Sequence, residues 1–300
     1  MRERVWINDV GPRDGLQNQA KILTVEQRLA LVTGLIEAGL PSIEVGAFVS
    51  PKAVPAMAGT DQLLAALPKD CGVDYQVLIP NLKGYQLARD AGARTVVLVV
   101  CATETMNQRN VRQDVRASLE QSREICAAAK NDGVRVVACV AVAWACPFEG
   151  ATDPGQVLDL AGQLFAMGAQ DVIVADTIGA ANPAQVSQLM TSFVQEFDAS
   201  RLACHFHDTR AMGVANVYAA LEAGIRKFDS SVGGLGGCPF APGATGNVAS
   251  EDVVMMLEQM GFDTGIDLFK LMQVGKTAGE MTGVASGGRA AKWRALNIKG

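Results

Sequence analysis

The sequence predicts an α/β fold, a closed TIM (β/α)8 barrel with a C-terminal helical extension. Eight short apolar runs alternate with longer helical patterns, which is typical of βα units around a parallel sheet. The apolar runs are too continuous for one face of the sheet to be in water. Because a barrel of 300 residues fits one unit, we predict a single catalytic domain over residues 1–300, with the barrel at about 4–262 and the extension at about 263–300.

The predicted elements follow in order along the chain. The eight predicted strands are Val5–Val10, Ser42–Val45, Val73–Ile79, Thr95–Cys101, Arg135–Ala141, Asp171–Ala175, Arg201–Phe206 and Lys227–Ser231. Helices are predicted between them, for example at Val25–Ala38, Val115–Lys130, Gln156–Met167, Ala184–Phe197 and Glu251–Met260. An open, doubly wound sheet is the alternative arrangement of the same units.

Five glycines mark the points where predicted helices end and strands begin. They are Gly39, Gly92, Gly133, Gly168 and Gly224. A helix that stops just before a strand commonly ends on a left-handed residue, and glycine adopts that conformation without strain. These five glycines at the ends of predicted helices support repeated βα units.

The composition excludes several classes of protein. The net charge is −5 and no basic run occurs, so a nucleic-acid partner is not expected. No segment is apolar and long enough for a signal peptide or a membrane span, which predicts a cytoplasmic protein. The seven cysteines form no CxxC pair and indicate a reducing compartment rather than a disulfide scaffold.

Polar side chains follow the apolar runs, where a barrel places its active site. Asp14 follows the first strand, Glu44 ends the second, Asp176 the sixth, His205 the seventh and Ser231 the eighth. The carboxyl ends of all strands meet at one mouth of a barrel. The sequence therefore predicts an active site built from these strand ends.

The only two histidines of the chain are His205 and His207. Alternate residues of a strand face the same side, so both imidazoles can reach one metal ion. The alternative is a pair of ordinary polar residues that close a strand. Carboxylates on neighbouring strand ends favour a metal, and a site of imidazole, carboxylate and amide ligands suits Mg²⁺ or Mn²⁺ better than structural zinc.

A glycine-rich loop follows the eighth strand, at residues 232–247, and carries Cys238. Such a loop is typical of a lid that closes over substrate and excludes water, here with a reactive thiol. Two alternatives stay open. The glycines could form a phosphate cradle, although the Lys-Ser/Thr of a P-loop is missing, and Cys238 could be an inert buried thiol.

Taken together, these motifs resemble the hydroxymethylglutaryl-CoA lyase family, metal-dependent lyase and synthase barrels. The segments that carry the resemblance are Val10–Asn18, Phe48–Lys52, Pro80–Gly84, Cys146–Gly150, Asp176–Gly179, His205–Thr209, Gly234–Pro239 and Thr245–Asn247. The resemblance implies retro-Claisen cleavage of a 3-hydroxyacyl-CoA, hydroxymethylglutaryl-CoA first of all, into acetyl-CoA and acetoacetate. It also implies a homodimer.

The resemblance also assigns roles to residues. It implies that Asp14, His205, His207 and Asn247 bind the divalent metal. Arg13 would stabilise the thioester oxygen as it becomes an enolate, as an oxyanion hole does.

Proton transfer and site organisation would belong to Cys238, Asp176 and Glu44. The order in which these three residues act stays open. Gln17 and Thr177, from the same motifs, are expected to contact substrate.

Departures from the family pattern lie where the acyl group is expected. Ala53 replaces a large aromatic residue and Cys139 replaces a tyrosine, while Arg210 adds a cation near the mouth. We therefore expect Cys139, Trp144 and Arg210 to contact the acyl end of the substrate.

Three alternatives to hydroxymethylglutaryl-CoA cleavage follow. The substrate could be a related branched thioester such as citramalyl-CoA. The protein could instead be a condensing synthase of the same superfamily, although the additional C-terminal regions of those enzymes are missing. A barrel that has lost activity and serves as a scaffold is the third alternative.

Overall fold

The structure, a computed structural model, describes residues 2–237, 246–285 and 288–298. Eight parallel strands close into a barrel. The barrel strands are β1 (Trp6–Asp9), β2 (Ser42–Ala47), β3 (Asp74–Leu78), β4 (Thr95–Cys101), β5 (Arg135–Ala141), β8 (Asp171–Asp176), β9 (Leu202–Phe206) and β10 (Lys227–Ser230), while β6 (Ala145–Cys146) and β7 (Gly150–Ala151) form a separate hairpin. Around the barrel the order is β1-β10-β9-β8-β5-β4-β3-β2. The predicted closed barrel is confirmed, and the open sheet is excluded.

Helices surround the barrel and connect its strands. They are α1 (Val25–Glu37), α2 (Thr60–Ala66), α3 (Leu82–Asp90), α4 (Glu104–Val111), α5 (Val115–Asp132), α6 (Pro154–Met167), α7 (Pro183–Glu196), α8 (Gly213–Glu222), α9 (Ser250–Gln259), α10 (Leu268–Thr282) and α11 (Arg289–Asn297). The predicted C-terminal helical extension holds two described helices, α10 and α11. No described helix is both long and apolar enough to cross a membrane.

Local sequence signals set the helix boundaries. In α1, Thr24 and Gln27 form a capping box, in which each side chain accepts a hydrogen bond from the other residue's backbone N–H. At the start of α6, the Asp153 carboxylate accepts from the Gln156 N–H at 3.1 Å. These contacts satisfy the backbone donors that a helix start leaves without partners.

The five predicted glycines all have positive φ. The values are 90° at Gly39, 85° at Gly92, 68° at Gly133, 109° at Gly168 and 103° at Gly224. A side chain at these positions would strain the backbone. Each glycine ends a helix and turns the chain into the next strand, as predicted.

The barrel interior is layered. At the N-terminal end, Arg135 bonds Asp74 at 2.9 Å and also pairs with Asp171, which Lys227 contacts at 3.0 Å. A cavity of about 270 Å³ opens at this end, lined partly by these charged side chains.

Above these ion pairs lies an apolar layer, formed by Val97, Val137, Ile173 and Ala203 with Cys139 packed against it. The predicted metal ligands lie beyond this layer, toward the C-terminal mouth. The fold thus separates a structural end from a chemical end.

Candidate active site

A tight π-helical turn, Gly11–Gly15, follows β1 and carries Arg13 and Asp14. The turn packs closely on the loop after β10. A Cβ atom on Gly11 would lie 2.9 Å from a methyl group of Val232, and one on Gly15 would lie 2.9 Å from Cβ of Leu235. Glycine at both positions therefore lets the turn bring Arg13 and Asp14 to the barrel mouth.

Asp14, His205 and His207 converge at the mouth. Each offers one ligand atom, and these atoms lie within 4.8 Å of one another. His205 lies on β9 and His207 directly after it, so both rings face the same side, with centroids 5.2 Å apart. The strand alternation predicted from the sequence thus brings the two imidazoles and a carboxylate together.

Unpartnered polar atoms in the same cluster fit a cation. Among the described residues, Nδ1 of His207 and Oδ1 of Asn247 are buried without a hydrogen-bond partner. The Asn247 amide donates to Asp14 Oδ2 at 2.8 Å and to the Leu235 carbonyl at 3.1 Å, so its own oxygen stays available. Burying such atoms without partners is costly. Asp14, His205, His207 and Asn247 together form a donor set suited to a divalent metal.

The protonation states of Asp14 and His207 suit metal binding as well. Burial opposes a charged Asp14, yet the Arg13 guanidinium, the largest opposing influence, lowers the pKa of Asp14 to about 2. Burial lowers the pKa of His207 to about 4, which keeps its imidazole neutral. A carboxylate and a neutral imidazole are the forms that bind metal, so neither group needs to lose a proton at neutral pH.

Arg13 is held rigidly between two carboxylates. Its Nε and Nη2 bond Glu44 Oε2 at 2.8 and 2.7 Å, and its Nη1 bonds Asp14 Oδ1 at 2.7 Å. Burial acts against its charge, but Glu44 and Asp14 raise the pKa of Arg13 above its ordinary value. Arg13 is therefore a fixed cation beside the cluster of Asp14, His205 and His207.

Glu44 is the buried partner of Arg13, at the mouth side of β2. Its other oxygen, Oε1, has no hydrogen-bond partner among the described residues. Burial raises the pKa of Glu44 to about 7, although Arg13 acts in the opposite direction. A carboxyl group with such a pKa can exchange a proton near neutral pH.

Three predicted residues shape the loop after β8. Asp176 accepts backbone N–H groups of the loop, from Ala180 at 2.8 Å and Ala181 at 3.1 Å, and burial raises its pKa. The Thr177 hydroxyl accepts from the Val142 N–H at 2.8 Å.

The third residue, Arg210, donates to the carbonyls of Gly179, Ala180 and Ala181. Its guanidinium is thereby used to brace the loop. The expectation of a cation directed at the substrate receives no support from these contacts.

The remaining predicted substrate contacts differ in placement. Gln17 donates to Asp14 Oδ1 at 3.0 Å and so orients the Asp14 carboxylate. Cys139 lies in the barrel interior and is partly exposed.

Trp144 lies in another place, and none of the contacts described for it is with a predicted site residue. Its ring packs on Phe206 at 5.6 Å between centroids, and its N–H donates to the Gln185 carbonyl at 3.3 Å. Phe206 alternates with His205 and His207 and faces the helices, so Trp144 lies in the helical layer.

The predicted lid residue Cys238 lies outside the described residues. The described residues resume at Gly246, whose carbonyl accepts a hydrogen bond from the Asp208 N–H at 3.1 Å. Asn247 then pairs with His207 in an isolated β-bridge. A Cβ atom on Gly246 would collide with the Gly234 carbonyl, so the two ends of the loop require glycine to approach each other. This approach fixes the position of Asn247.

One residue of the site was missed in the sequence analysis. Asp229 on β10 is buried and its Oδ2 lies 3.1 Å from Nδ1 of His205. The available signal was its spacing, because Asp229 precedes Ser231 by two residues and so shares its strand face.

One known protein family matches most of the chain. The HMGL-like family matches residues 4–278. The chain belongs to the HMGL-like family. The resemblance predicted from the motifs is therefore confirmed.

Close relatives share nearly the whole length. A hydroxymethylglutaryl-CoA lyase of Pseudomonas mevalonii is 43% identical over 96% of both chains. A Pseudomonas aeruginosa lyase of 3-hydroxy-3-isohexenylglutaryl-CoA and hydroxymethylglutaryl-CoA is 43% identical over 97% of both. The crystal structure of a hydroxymethylglutaryl-CoA lyase from Pseudomonas aeruginosa superposes with a TM-score of 0.95, at 42% identity over 99% of both chains.

Proposed function

We propose that this protein is a divalent-metal-dependent carbon–carbon lyase that cleaves hydroxymethylglutaryl-CoA into acetyl-CoA and acetoacetate. The observation that carries the proposal is the convergence of Asp14, His205 and His207 within 4.8 Å, with Arg13 bonded to Asp14. Names of full-length relatives at 43% identity support the same reaction. A scaffold that had lost activity would have no need for such an arrangement.

The reaction breaks the bond between C2 and C3 of the acyl chain. The 3-hydroxyl loses a proton and becomes the new ketone of acetoacetate. The electron pair of the broken bond stays on C2, giving the enolate of acetyl-CoA, which takes up a proton. Asp14, His205, His207 and Asn247 would hold Mg²⁺ or Mn²⁺, which when bound polarises the 3-hydroxyl and makes its deprotonation easier.

Arg13 stabilises the enolate in this proposal. Negative charge develops on the thioester oxygen, and a guanidinium fixed beside it lowers the barrier without reorganising at the moment of reaction. Its bonds to Glu44 and Asp14 hold it in place before substrate arrives. Glu44 thereby positions Arg13, in addition to any role of Glu44 in proton transfer.

We assign the two proton transfers to Glu44, Asp176 and Cys238 as a group. Burial raises the pKa of Glu44 and of Asp176, which favours groups that can hold a proton near neutral pH. Cys238 enters from the family resemblance alone. Near these groups, Gln17 holds the Asp14 carboxylate in place, and Thr177 holds the backbone at Val142.

One interior wall of the barrel favours a bulkier acyl branch. Val99 and Cys139 are direct neighbours on β4 and β5, and both are partly exposed within strands that are otherwise mostly buried. A tyrosine at Cys139 would fill this space. We propose that the wall accepts a 3-substituent larger than methyl, as the second Pseudomonas relative acts on such a thioester.

Cys139→Tyr is expected to reduce kcat/KM for a thioester with a long 3-alkyl branch by about 10-fold or more relative to hydroxymethylglutaryl-CoA, because removing room for a few methylenes costs that much. Cys139→Ser, which preserves the volume, is the matched control and should leave the ratio near that of the parent protein. Steady-state assays on both thioesters measure the ratio. An equal loss on both substrates would show that this wall does not set specificity.

The proposed reaction is tested by measuring both products, acetyl-CoA and acetoacetate, before and after a chelator removes the metal from the enzyme. We expect acetyl-CoA and acetoacetate in equal amounts, loss of activity with chelator, and recovery when Mg²⁺ or Mn²⁺ is added back. Activity that persists after chelation, or cleavage of citramalyl-CoA alone, would contradict the proposal. Condensation of acetyl-CoA with a 2-oxo acid and no cleavage would identify a synthase instead.

We further propose that the barrel and its C-terminal helices act as one catalytic domain in a cytoplasmic homodimer. The six described cysteines are all free thiols, which suits a reducing compartment. Trp293 and Leu296 of α11 are exposed, at 47% and 74%, and such apolar side chains suit a protein contact.

A further inference from the structure

Asp229 lies directly beside His205 in the barrel wall. The two residues are register partners on the neighbouring parallel strands β10 and β9. Both are buried, and Asp229 Oδ2 lies 3.1 Å from His205 Nδ1. The carboxylate therefore contacts Nδ1 of the ring, and Nε2 has no contact with Asp229.

The chemistry of the pair fixes the imidazole tautomer. A carboxylate only accepts hydrogen bonds, and a neutral imidazole has a single N–H. The bond to Asp229 therefore places the hydrogen on Nδ1 and the free lone pair on Nε2. His207 differs, because its Nδ1 has no partner among the described residues. The two imidazoles of the cluster are thus held in unequal ways.

A chain of side-chain hydrogen bonds holds Asp229 itself. Asn8 on β1 donates to Asp229 Oδ1 at 2.9 Å, and the Ser42 hydroxyl on β2 donates to Asn8 Oδ1 at 2.8 Å. Gln76 on β3 donates to Ser42 at 2.9 Å and to Asp74 Oδ2 at 3.2 Å. Side chains of three other barrel strands, β1, β2 and β3, therefore set the position of the carboxylate that meets His205.

We infer that Asp229 is a positioning residue, which holds His205 as the Nδ1–H tautomer with Nε2 directed at the metal, and that Asn8 anchors it. The inference rests on the proposed metal site. A carboxylate behind a metal-binding imidazole fixes the ring orientation and raises its basicity, and its removal typically weakens metal binding about 10- to 100-fold. Asp229 acts through His205 and touches no reacting atom in this account.

The chain offers an unusually clean measurement, because it contains only two histidines. Protein labelled with ¹⁵N-histidine gives two imidazole spin systems, and the His207→Gln variant assigns them. At a pH of about 9, both rings are neutral in ordinary circumstances. We expect His205 of the metal-free parent protein to be the Nδ1–H tautomer. An Nε2–H tautomer at His205 would overturn the inference without any variant at Asp229.

Asp229→Asn should reverse this preference. Asn8 requires an oxygen to accept its N–H, so the new amide would turn its own NH₂ group toward His205 and favour the Nε2–H tautomer. That hydrogen competes with the metal, and Mn²⁺ affinity, measured by electron paramagnetic resonance of the free ion, should fall about 10- to 100-fold. Unchanged tautomer and affinity within about twofold would overturn the inference.

Asp171→Asn is the matched control, since Asp171 is a carboxylate of the same barrel interior that lies outside the chain of Asn8, Ser42 and Gln76. It should lower the melting temperature through its weakened bonds to Arg135 and Lys227 but leave the tautomer and the Mn²⁺ affinity as in the parent protein. Equal loss of affinity in both variants would reduce Asp229 to a structural role.

Neither readout uses substrate, so failure of the lyase assay leaves this test intact. If the parent protein binds no Mn²⁺, the metal part of the proposed function fails, while the His205 tautomer still decides the role of Asp229.

Discussion

Arg13→Lys is expected to lower kcat for hydroxymethylglutaryl-CoA by about 10³-fold or more, at the upper end of what removal of one oxyanion donor costs. Lysine keeps the charge but loses the planar fork that bonds Glu44 and Asp14 simultaneously. The ammonium would follow one carboxylate and leave the thioester oxygen without its cation. Steady-state kinetics measure the loss.

Mn²⁺ binding separates this effect from damage to the metal site. We expect the Mn²⁺ affinity of Arg13→Lys to change by less than about 10-fold, because Asp14, His205, His207 and Asn247 remain. Arg116→Lys is the matched control, since Arg116 is 89% exposed and pairs with Glu120 on the surface, so its kcat should be unchanged. An Arg13→Lys enzyme that retains a tenth of the parent kcat would refute the assigned role.

His207→Ala is expected to abolish metal binding and catalysis together. Removal of a direct ligand should weaken Mn²⁺ affinity by at least about 10²-fold, since second-layer residues alone cost 10- to 100-fold. The Nδ1 atom of His207 has no partner among the described residues, so its loss breaks no hydrogen bond there. The variant should therefore fold normally.

The measurements are Mn²⁺ titration, kcat and thermal melting without metal. We expect the melting temperature of metal-free His207→Ala to stay close to that of the parent protein, while kcat falls by about 10³-fold or more in line with losing a group that polarises the reacting oxygen. A variant that binds Mn²⁺ as tightly as the parent protein would exclude His207 from the ligand set.

Much of the fold could be predicted because its signals are local. The glycines at 39, 92, 133, 168 and 224 need positive φ whatever the tertiary structure, and the observed values agree. The strands Thr95–Cys101 and Arg135–Ala141 were predicted with their observed bounds, since in each a single polar residue precedes a continuous apolar run. His205 and His207 follow from strand alternation, which also depends only on neighbouring residues.

Features that depend on non-local geometry could not be predicted. Trp144 was expected near the acyl group, but Val142 has φ of 53° and redirects the chain after β5 into the hairpin of β6 (Ala145–Cys146) and β7 (Gly150–Ala151). Its ring then meets Phe206 in the helical layer. Asp229 was missed because its contact with His205 follows from the register of two strands that the sequence does not specify.

Cleavage in deuterium oxide tests the proposed reaction most directly. If C2 leaves as an enolate and is protonated by an exchangeable group of the enzyme, hydroxymethylglutaryl-CoA must give acetyl-CoA with one deuterium in its methyl group, together with an equal amount of acetoacetate. Mass spectrometry of the acetyl-CoA should show this only when divalent metal is present. Recovery of intact thioester, or acetyl-CoA without deuterium, would contradict the account.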